Sequence, residues 1–211
     1  MRRLAALCIT ALLLSTLSFA QETKTDKDKK KTDQKESVVP AKKRTWEITP
    51  FIGGGTGFGK RSSTQFLYAQ ARFGRVLTAD HGSGWLRGNF EFAFDATPLF
   101  IVMQPPQNAY GGGFSPVVLK WNFTSGRRMV PFVELTGGAL WTTQDVPFGT
   151  NSFNFTPQGG FGIHFLRKNN PNQAVTLSSK FMHVSNAGIA DANSGINASI
   201  QFLLGYTWFK R

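Results

Sequence analysis

The sequence of 211 residues contains a single cysteine, Cys8, and only three histidines. One cysteine excludes an internal disulfide and any site built from several thiolates. Three scattered histidines do not have the spacing of a metal site, so we expect neither a metal ion nor another cofactor.

After Arg44 the sequence also lacks any apolar run of the length, about 18 residues, that a membrane-spanning helix requires. A mostly apolar run from Leu4 to Leu17 lies instead near the amino terminus, after two arginines and before the short sequence SFA. This is the arrangement of a secretory signal peptide and its cleavage site. We expect residues 1–20 to be that signal. Its cleavage would remove Cys8, so the mature chain is expected to have no thiol.

Residues 21–44 have few apolar side chains and many charged ones, nine basic and five acidic. Such a segment cannot bury enough apolar surface to offset chain entropy, so it predicts a disordered spacer. Its interspersed acidic residues argue against a basic arm that binds nucleic acid, and no nucleic-acid partner is expected. Of the formal charge of +12, the signal carries +2 and the spacer +4, which leaves +6 on the remainder. That charge suits an anionic membrane surface.

From residue 45 onwards, apolar and polar residues alternate over about ten residues at a time. Gly, Pro, Asn and Ser interrupt the pattern, and eight alternating segments can be counted. In the seventh segment Val175, Leu177 and Phe181 share one phase, whereas Lys180 belongs to the other. A period of two predicts β-strands. We therefore predict an all-β fold for residues 45–211, an eight-stranded antiparallel up-and-down transmembrane β-barrel.

The alternation alone leaves open whether the apolar phase points into lipid or into the core of a soluble barrel. Two features favour the bacterial outer membrane. The signal peptide directs the chain to the cell envelope, and aromatic residues lie near segment ends as interfacial girdles do, namely Trp46, Trp121, Trp141, Tyr206 and Trp208. The interior of so small a barrel is filled by side chains. Charged residues of the polar phase are then expected to form an internal network: Arg72, Arg87, Glu91, Lys120, Glu134 and Lys180.

The seventh segment ends in the sequence HVSNAG, which brings a histidine and a serine together. A period of two carries the lipid-facing phase of Phe181 on to His183 and Ser185. With both ends of the barrel in the periplasm, this end of the strand lies in the outer leaflet. A serine can act as a nucleophile when a histidine takes its proton. Asn186 and Gly188 are candidate oxyanion donors, through a side-chain amide and a backbone N–H.

The motif HVSNAG, followed five residues later by NSGI at residues 193–196, resembles the outer-membrane lipid A 3-O-deacylase family (PagL) and the broader acyloxyacyl hydrolases. The stretches FSPVVLKWNF and VPFVELTGG resemble the fourth and fifth strands of that family. The resemblance implies hydrolysis of the ester-linked 3-hydroxyacyl chain at position 3 of lipid A, within lipopolysaccharide. By position, Ser185 is the nucleophile, His183 the base, and Asn186 and Gly188 form the oxyanion hole. The resemblance leaves a homodimer open.

The catalytic acid of the family falls at Asn197 in this chain. An asparagine oxygen can accept the imidazole N–H, but it cannot stabilise the imidazolium by charge. In Ser-His-Asp enzymes the change from Asp to Asn costs on the order of 10⁴ in turnover. Alternation counted back from Ile200 also places Asn197 on the inner face, unless a bulge intervenes near Ala198. Asp191 in the preceding loop is a substitute, and a non-catalytic barrel with structural or adhesive loops is the alternative function.

Overall fold

A computed structural model of the chain describes residues 40, 42–59, 63–126, 128–189 and 195–211. The predicted signal peptide and most of the predicted spacer lie outside the described residues. These residues form a short 3₁₀ helix, Gly84–Leu86, and nine strands. The strands are β1 (Trp46–Gly57), β2 (Gln65–Val76), β3 (Gly88–Met103), β4 (Ala109–Phe123), β5 (Met129–Thr142), β6 (Phe153–Phe155), β7 (Gln158–Arg167), β8 (Asn170–Val184) and β9 (Ile196–Lys210).

The nine strands form one closed antiparallel ring. Strands β1 to β5 pair in order, β7 pairs with β8, β8 with β9, and β9 closes the ring on β1. Both β6 and β7 pair with β5, and only Thr156 and Pro157 separate them along the chain. They are therefore two parts of one interrupted strand. The fold is an eight-stranded up-and-down barrel, which confirms the prediction.

Large apolar side chains cover the outside of this barrel. Ile52 and Phe202 are each 60% exposed and Leu135 is 65% exposed, whereas the residues beside them on the strands are buried. Glu134, Thr136 and Gln201 are polar residues among these buried neighbours. This is the arrangement of a barrel whose outer face meets lipid, and it contradicts the alternative of a soluble barrel with an apolar core. No helix among the described residues is long and apolar enough to cross a membrane.

Buried ion pairs fill the middle of the lumen. Arg72 binds Asp95 at 2.8 Å and Glu134 at 2.5 Å, and Lys180 lies 3.0 Å from Glu134. A second group joins Lys120 to Glu47 and Glu91. Charges inside a barrel must be paired because an isolated charge loses its hydration without compensation. The predicted internal network is present, and Glu47 and Asp95 belong to it as well.

The prediction for Arg87 is wrong. Strand β3 begins at Gly88, so Arg87 belongs to the preceding turn and not to the polar phase of the strand. Its guanidinium pairs with Asp80 at 3.0 Å, and half of its side chain is exposed. The alternation of β3 cannot orient a residue that lies outside the strand.

An apolar cluster fills the lumen beyond the ion pairs, towards the end of the barrel that carries the carboxyl end of β8. Met182, Val184 and Ile196 belong to it, together with Phe51, Phe66, Tyr68, Phe100, Val102, Ala109, Leu140, Val146 and Leu203. Met182 and Val184 point inwards and are almost completely buried. They anchor the end of β8 in the lumen, so that the residues that alternate with them face outwards.

Candidate active site

His183 and Ser185 lie on the outer face of the barrel at the end of β8. Phe181, two residues before His183, is 53% exposed to the outside, while Met182 and Val184 are buried in the lumen. His183 and Ser185 are half-buried and continue the outward phase of Phe181. The same alternation that faces Phe181 towards lipid therefore brings the histidine and the serine to one face.

The interrupted sixth strand holds this end of β8 in place. Phe155 N donates a hydrogen bond to Ser185 O at 2.7 Å, and Ser185 N donates to Phe155 O at 3.1 Å. His183 N donates to Pro157 O at 3.0 Å. Residues directly opposite each other in an antiparallel pair have Cβ atoms about 5 Å apart, so Phe155 stands beside Ser185 on the outer face. Sequence reasoning missed Phe155 and Pro157, because a cross-strand partner follows from the register and leaves no local signal.

Strand β9 contains a bulge opposite His183. One residue of β8, His183, opposes two residues of β9, Asn197 and Ala198, as in a β-bulge. The flanking pairs that define this shift are Met182 with Ser199 and Val184 with Ile196. The backbone of Asn197 therefore lies opposite His183, the residue that the catalytic acid of the family would orient. Asp191, the substitute acid, lies outside the described residues.

The bulge changes the parity of β9. Ile196 and Ser199 are both fully buried, although regular alternation would send residues three apart to opposite faces. Counting back from Ile200 without a bulge therefore gives the wrong face for Ile196. The alternation in the sequence placed Asn197 on the inner face unless a bulge intervened near Ala198. The pairing of β8 with β9 contains a bulge at this point.

A tight turn follows Ser185 directly. Ile189 N donates to Asn186 O at 3.1 Å, and the two central residues, Ala187 and Gly188, have φ angles of 55° and 80°. Two successive positive φ angles are typical of a type I′ turn. The left-handed conformation costs a residue with a Cβ, such as Ala187, about 1–2 kcal/mol. The chain direction therefore reverses immediately after Ser185.

The two predicted oxyanion donors are bonded to each other in this turn. Gly188 N donates to Asn186 Oδ1 at 2.9 Å, and the Asn186 side chain is buried. The amide oxygen of Asn186 therefore faces the turn. In this geometry the Gly188 N–H is occupied by the amide oxygen of Asn186.

Gly195 packs against the backbone of Ser185 just before β9 begins. A Cβ atom at Gly195 would lie 2.9 Å from Ser185 Cβ and 3.1 Å from Ser185 Cα, and it would collide with Val184 O. Only glycine permits so close an approach of two backbones. The glycine of the motif NSGI therefore allows the start of β9 to contact the serine directly.

The other two histidines have separate surroundings. His164 is buried in the lumen, where its Nδ1 lies 2.8 Å from Thr176 Oγ1. His81 lies in the turn between β2 and β3, where its backbone bridges to Gly88. Across the described part of the chain, no group of three His, Cys, Asp or Glu side chains is placed to hold a metal ion.

A closed eight-stranded barrel with an apolar outer face and a filled polar lumen defines a bacterial outer-membrane protein. This barrel also carries a polar pair, His183 and Ser185, at the lipid-facing end of β8. A family model described as lipid A 3-O-deacylase (PagL) matches residues 52–207, more than half of the chain. The chain belongs to the PagL family, and the resemblance seen in its motifs is confirmed.

Three solved structures are similar to this chain. The outer membrane enzyme PagL has 18% sequence identity and a TM-score of 0.49, over 77% of this chain and 98% of that chain. The outer membrane protein OprG from Pseudomonas aeruginosa has 9% identity and a TM-score of 0.50, over 82% and 99%. The outer membrane protein AlkL, solved in DMPC lipid bilayers, has 9% identity and a TM-score of 0.43, over 91% and 97%. At 9% identity the match to OprG supports the barrel fold alone. Comparison with curated proteins gives no match.

Proposed function

We propose that this protein is a serine esterase that removes an ester-linked 3-O-hydroxyacyl chain from lipid A in the outer leaflet. The observation that carries the proposal is the position of His183 and Ser185 on the lipid-facing end of β8, with the bulge at Asn197 opposite the histidine. Polar side chains that face lipid cost free energy, so such a pair is expected where it has a function. Membership of the PagL family supplies the substrate class.

The proposed reaction has two acyl transfers. Ser185 Oγ attacks the ester carbonyl carbon while His183 takes the hydroxyl proton. The tetrahedral intermediate collapses, the bond between the carbonyl carbon and the sugar oxygen breaks, and His183 returns the proton to that oxygen. The sugar leaves with a free hydroxyl group, and the acyl chain remains on Ser185. Water then attacks the acyl ester with His183 as base, and the fatty acid is released.

Asn186 and Gly188 are the proposed donors to the oxyanion. The position of both residues in the turn that directly follows Ser185 supports this role. The Gly188 N–H can bind the oxyanion only after it leaves Asn186 Oδ1. A single oxyanion donor contributes about 3–4 kcal/mol to transition-state stabilisation.

Asn197 is proposed to accept the N–H of His183 through its side-chain oxygen. The bulge supports this role, since it brings the Asn197 backbone across from His183. An amide carries no charge, and an amide turned the wrong way holds the wrong imidazole tautomer. In Ser-His-Asp enzymes the change from Asp to Asn costs on the order of 10⁴ in turnover. We therefore expect Asn197→Glu to raise the rate of ester hydrolysis. An unchanged rate would show that the side chain at 197 does not interact with His183.

The test of the function is mass spectrometry of lipid A from cells that express the wild type, Ser185→Ala or Ser179→Ala. Ser179 lies on the same strand and the same face, so Ser179→Ala is a matched loss of a hydroxyl group. We expect the wild type and Ser179→Ala to release one hydroxyacyl chain and Ser185→Ala to leave lipid A fully acylated. Full acylation in all three strains, or release of the same chain by Ser185→Ala, would refute the proposal.

A non-catalytic barrel of the same fold is the second candidate. The uncharged residue at position 197, where the family has an acid, favours it. Structural or adhesive work would then fall to the loops of the barrel. Ser185-dependent hydrolysis of any lipid ester excludes this candidate.

A further inference from the structure

The exposed basic side chains of the barrel gather at one end, here called the basic rim. This end carries the first residue of β1, the last residue of β9 and the turns that precede β3, β5 and β8. Every exposed lysine and arginine among the described residues lies there: Lys43, Arg44, Arg75, Arg87, Arg128, Arg167, Lys168, Lys210 and Arg211. Lys60 and Arg61, which separate β1 from β2 in the sequence, lie outside the described residues. Of the acidic side chains described at this end, only Asp80 is not fully buried, and it already pairs with Arg87.

Three residues of the basic rim form a row on the outer face. In the register of the sheet, Trp46 pairs with Lys210 on one side and with Arg75 on the other. Residues directly opposite each other in an antiparallel pair share a face, so the three side chains stand side by side where Trp46 is 46% exposed. The guanidinium carbon of Arg75 lies 4.8 Å from the centre of the Trp46 ring. A cation stacked on an indole ring in this way lies at the level of lipid headgroups.

Arg167 is held on the same face by residues of β8 and β9. Its Nη1 atom donates to Gln173 Oε1 at 2.9 Å and to Tyr206 OH at 3.0 Å. Tyr206 OH in turn donates to Gln173 Oε1 at 2.9 Å. No described residue accepts a hydrogen bond from Nε or Nη2 of Arg167. These two donors form the planar edge with which arginine binds a phosphate group through two parallel bonds.

Tryptophans mark the basic rim as a membrane interface. Trp85 lies in the 3₁₀ helix before β3 and is 76% exposed. Four of the five tryptophans of the chain lie at this end: Trp46, Trp85, Trp121 and Trp208. Tryptophan is enriched where acyl chains meet headgroups. Because basic side chains alternate with these rings on the lipid-facing side, they match lipid headgroups better than a polymer in the periplasm.

We propose that the basic rim binds anionic phospholipids of the inner leaflet, and that Arg75, Arg167 and Lys210 contact their phosphate groups. In an outer-membrane barrel with both chain ends in the periplasm, this end meets the inner leaflet. A lysine or arginine near an anionic membrane surface contributes about five-fold in affinity. The contacts resist vertical displacement of the barrel, and they do not depend on the proposed ester hydrolysis.

The test measures which lipids surround the barrel in vesicles of phosphatidylcholine and phosphatidylglycerol. One of the two lipids carries brominated acyl chains, and the quenching of tryptophan fluorescence gives the relative affinity of the barrel for each lipid. We expect the wild type to prefer phosphatidylglycerol about five-fold, and the triple variant Arg75→Gln, Arg167→Gln, Lys210→Gln to lose most of this preference. The matched control is Arg87→Gln, since Arg87 already pairs with Asp80, and it keeps the preference of the wild type.

Gel mobility of unheated protein reports whether each variant is folded. The single variants Arg75→Gln and Arg167→Gln are each expected to lose part of the preference, so the test stands even if the triple variant does not fold. Ser185→Ala is expected to keep the full preference, which separates this proposal from the proposed function. Equal quenching of the wild type by the two brominated lipids would overturn the proposal, and binding of that barrel to isolated peptidoglycan would assign the rim to a periplasmic polymer. An equal loss of preference in Arg87→Gln and the triple variant would refute the three assigned contacts.

Discussion

The replacement of Gly195 by alanine tests whether the start of β9 positions Ser185. The added Cβ would lie 2.9 Å from Ser185 Cβ. Carbon atoms that are not bonded pack at about 3.5 Å, so this contact alone requires the two backbones to separate by about 0.6 Å. The added Cβ would lie closer still to Val184 O, so the actual shift must be larger. Overpacking of this kind costs about 1–3 kcal/mol of folding free energy. Since a shift of 1 Å at reacting groups costs on the order of 10² in rate, we expect Gly195→Ala to hydrolyse esters about ten-fold to a hundred-fold more slowly.

The assay is the initial rate of p-nitrophenyl myristate hydrolysis in micelles, and the gel mobility of unheated protein reports whether the barrel is folded. The matched control is Gly159→Ala, on the outer face of β7. There the added Cβ would lie 3.4 Å from the tip of the Leu135 side chain, an ordinary contact with a flexible group. A surface substitution without a specific contact changes stability by about 0.5 kcal/mol or less, so the control keeps its fold and its rate.

Two results would contradict this reasoning. A folded Gly195→Ala barrel with the rate of the wild type would show that Ser185 does not depend on the start of β9. Equal losses of rate in Gly195→Ala and Gly159→Ala would assign the effect to packing in general. A loss confined to Gly195→Ala in folded protein supports the close approach of the two backbones as the cause.

Other substitutions test the ion pairs of the lumen and the residues of the candidate site separately. Arg72→Met removes the guanidinium that bonds the buried carboxylates of Asp95 and Glu134 and leaves them only Lys180. It is expected to lower the free energy of unfolding in urea by about 3–5 kcal/mol, whereas Arg87→Ala at an exposed pair changes it by less than about 1 kcal/mol. Ala187→Gly removes the cost of the left-handed conformation and is expected to stabilise the barrel by about 1 kcal/mol; a lower thermal midpoint would contradict the type I′ turn. Asn186→Asp keeps an acceptor for Gly188 N–H but loses the amide donor. It is expected to slow ester hydrolysis by about 10² with unchanged gel mobility, and an unchanged rate would exclude the amide from the oxyanion hole.

The fold could be predicted from the sequence because alternation in a strand is set by covalent geometry. Successive side chains of β8 point to opposite faces of the sheet. If Phe181 faces lipid, His183 and Ser185 therefore face the same side. The count of eight strands follows in the same way from the turn residues that end each alternating segment. Alternation did not predict the position of Arg87, because this residue lies before the start of β3 and alternation orients only residues within a strand.

The local geometry of the site could not be predicted, because it depends on pairing between distant strands. The bulge at Asn197 and Ala198 changes the parity of β9 without a change in composition. Gly195 and Pro157 are visible in the sequence, but their contacts with Ser185 and His183 follow only from the register. Glu47 and Asp95 were missed in the lumen for the same reason: ring closure decides which charges become neighbours.

Three irregularities meet at the end of β8: the break in the sixth strand, the bulge in β9 and the type I′ turn. In a regular ladder, side chains stand about 4.8 Å from their neighbours on either side and point in parallel, so a nucleophile, a base and oxyanion donors cannot converge on one carbonyl group. The break places Phe155 beside Ser185, and the bulge places the backbone of Asn197 opposite His183. The turn follows Ser185 directly, and each irregularity has a cost in backbone pairing or strain. The buried side chains of Met182, Val184 and Ile196 offset that cost from the lumen side. The candidate site on the outside of the barrel is therefore held by packing on the inside, and substitutions in this apolar cluster should slow the proposed ester hydrolysis without any contact with lipid.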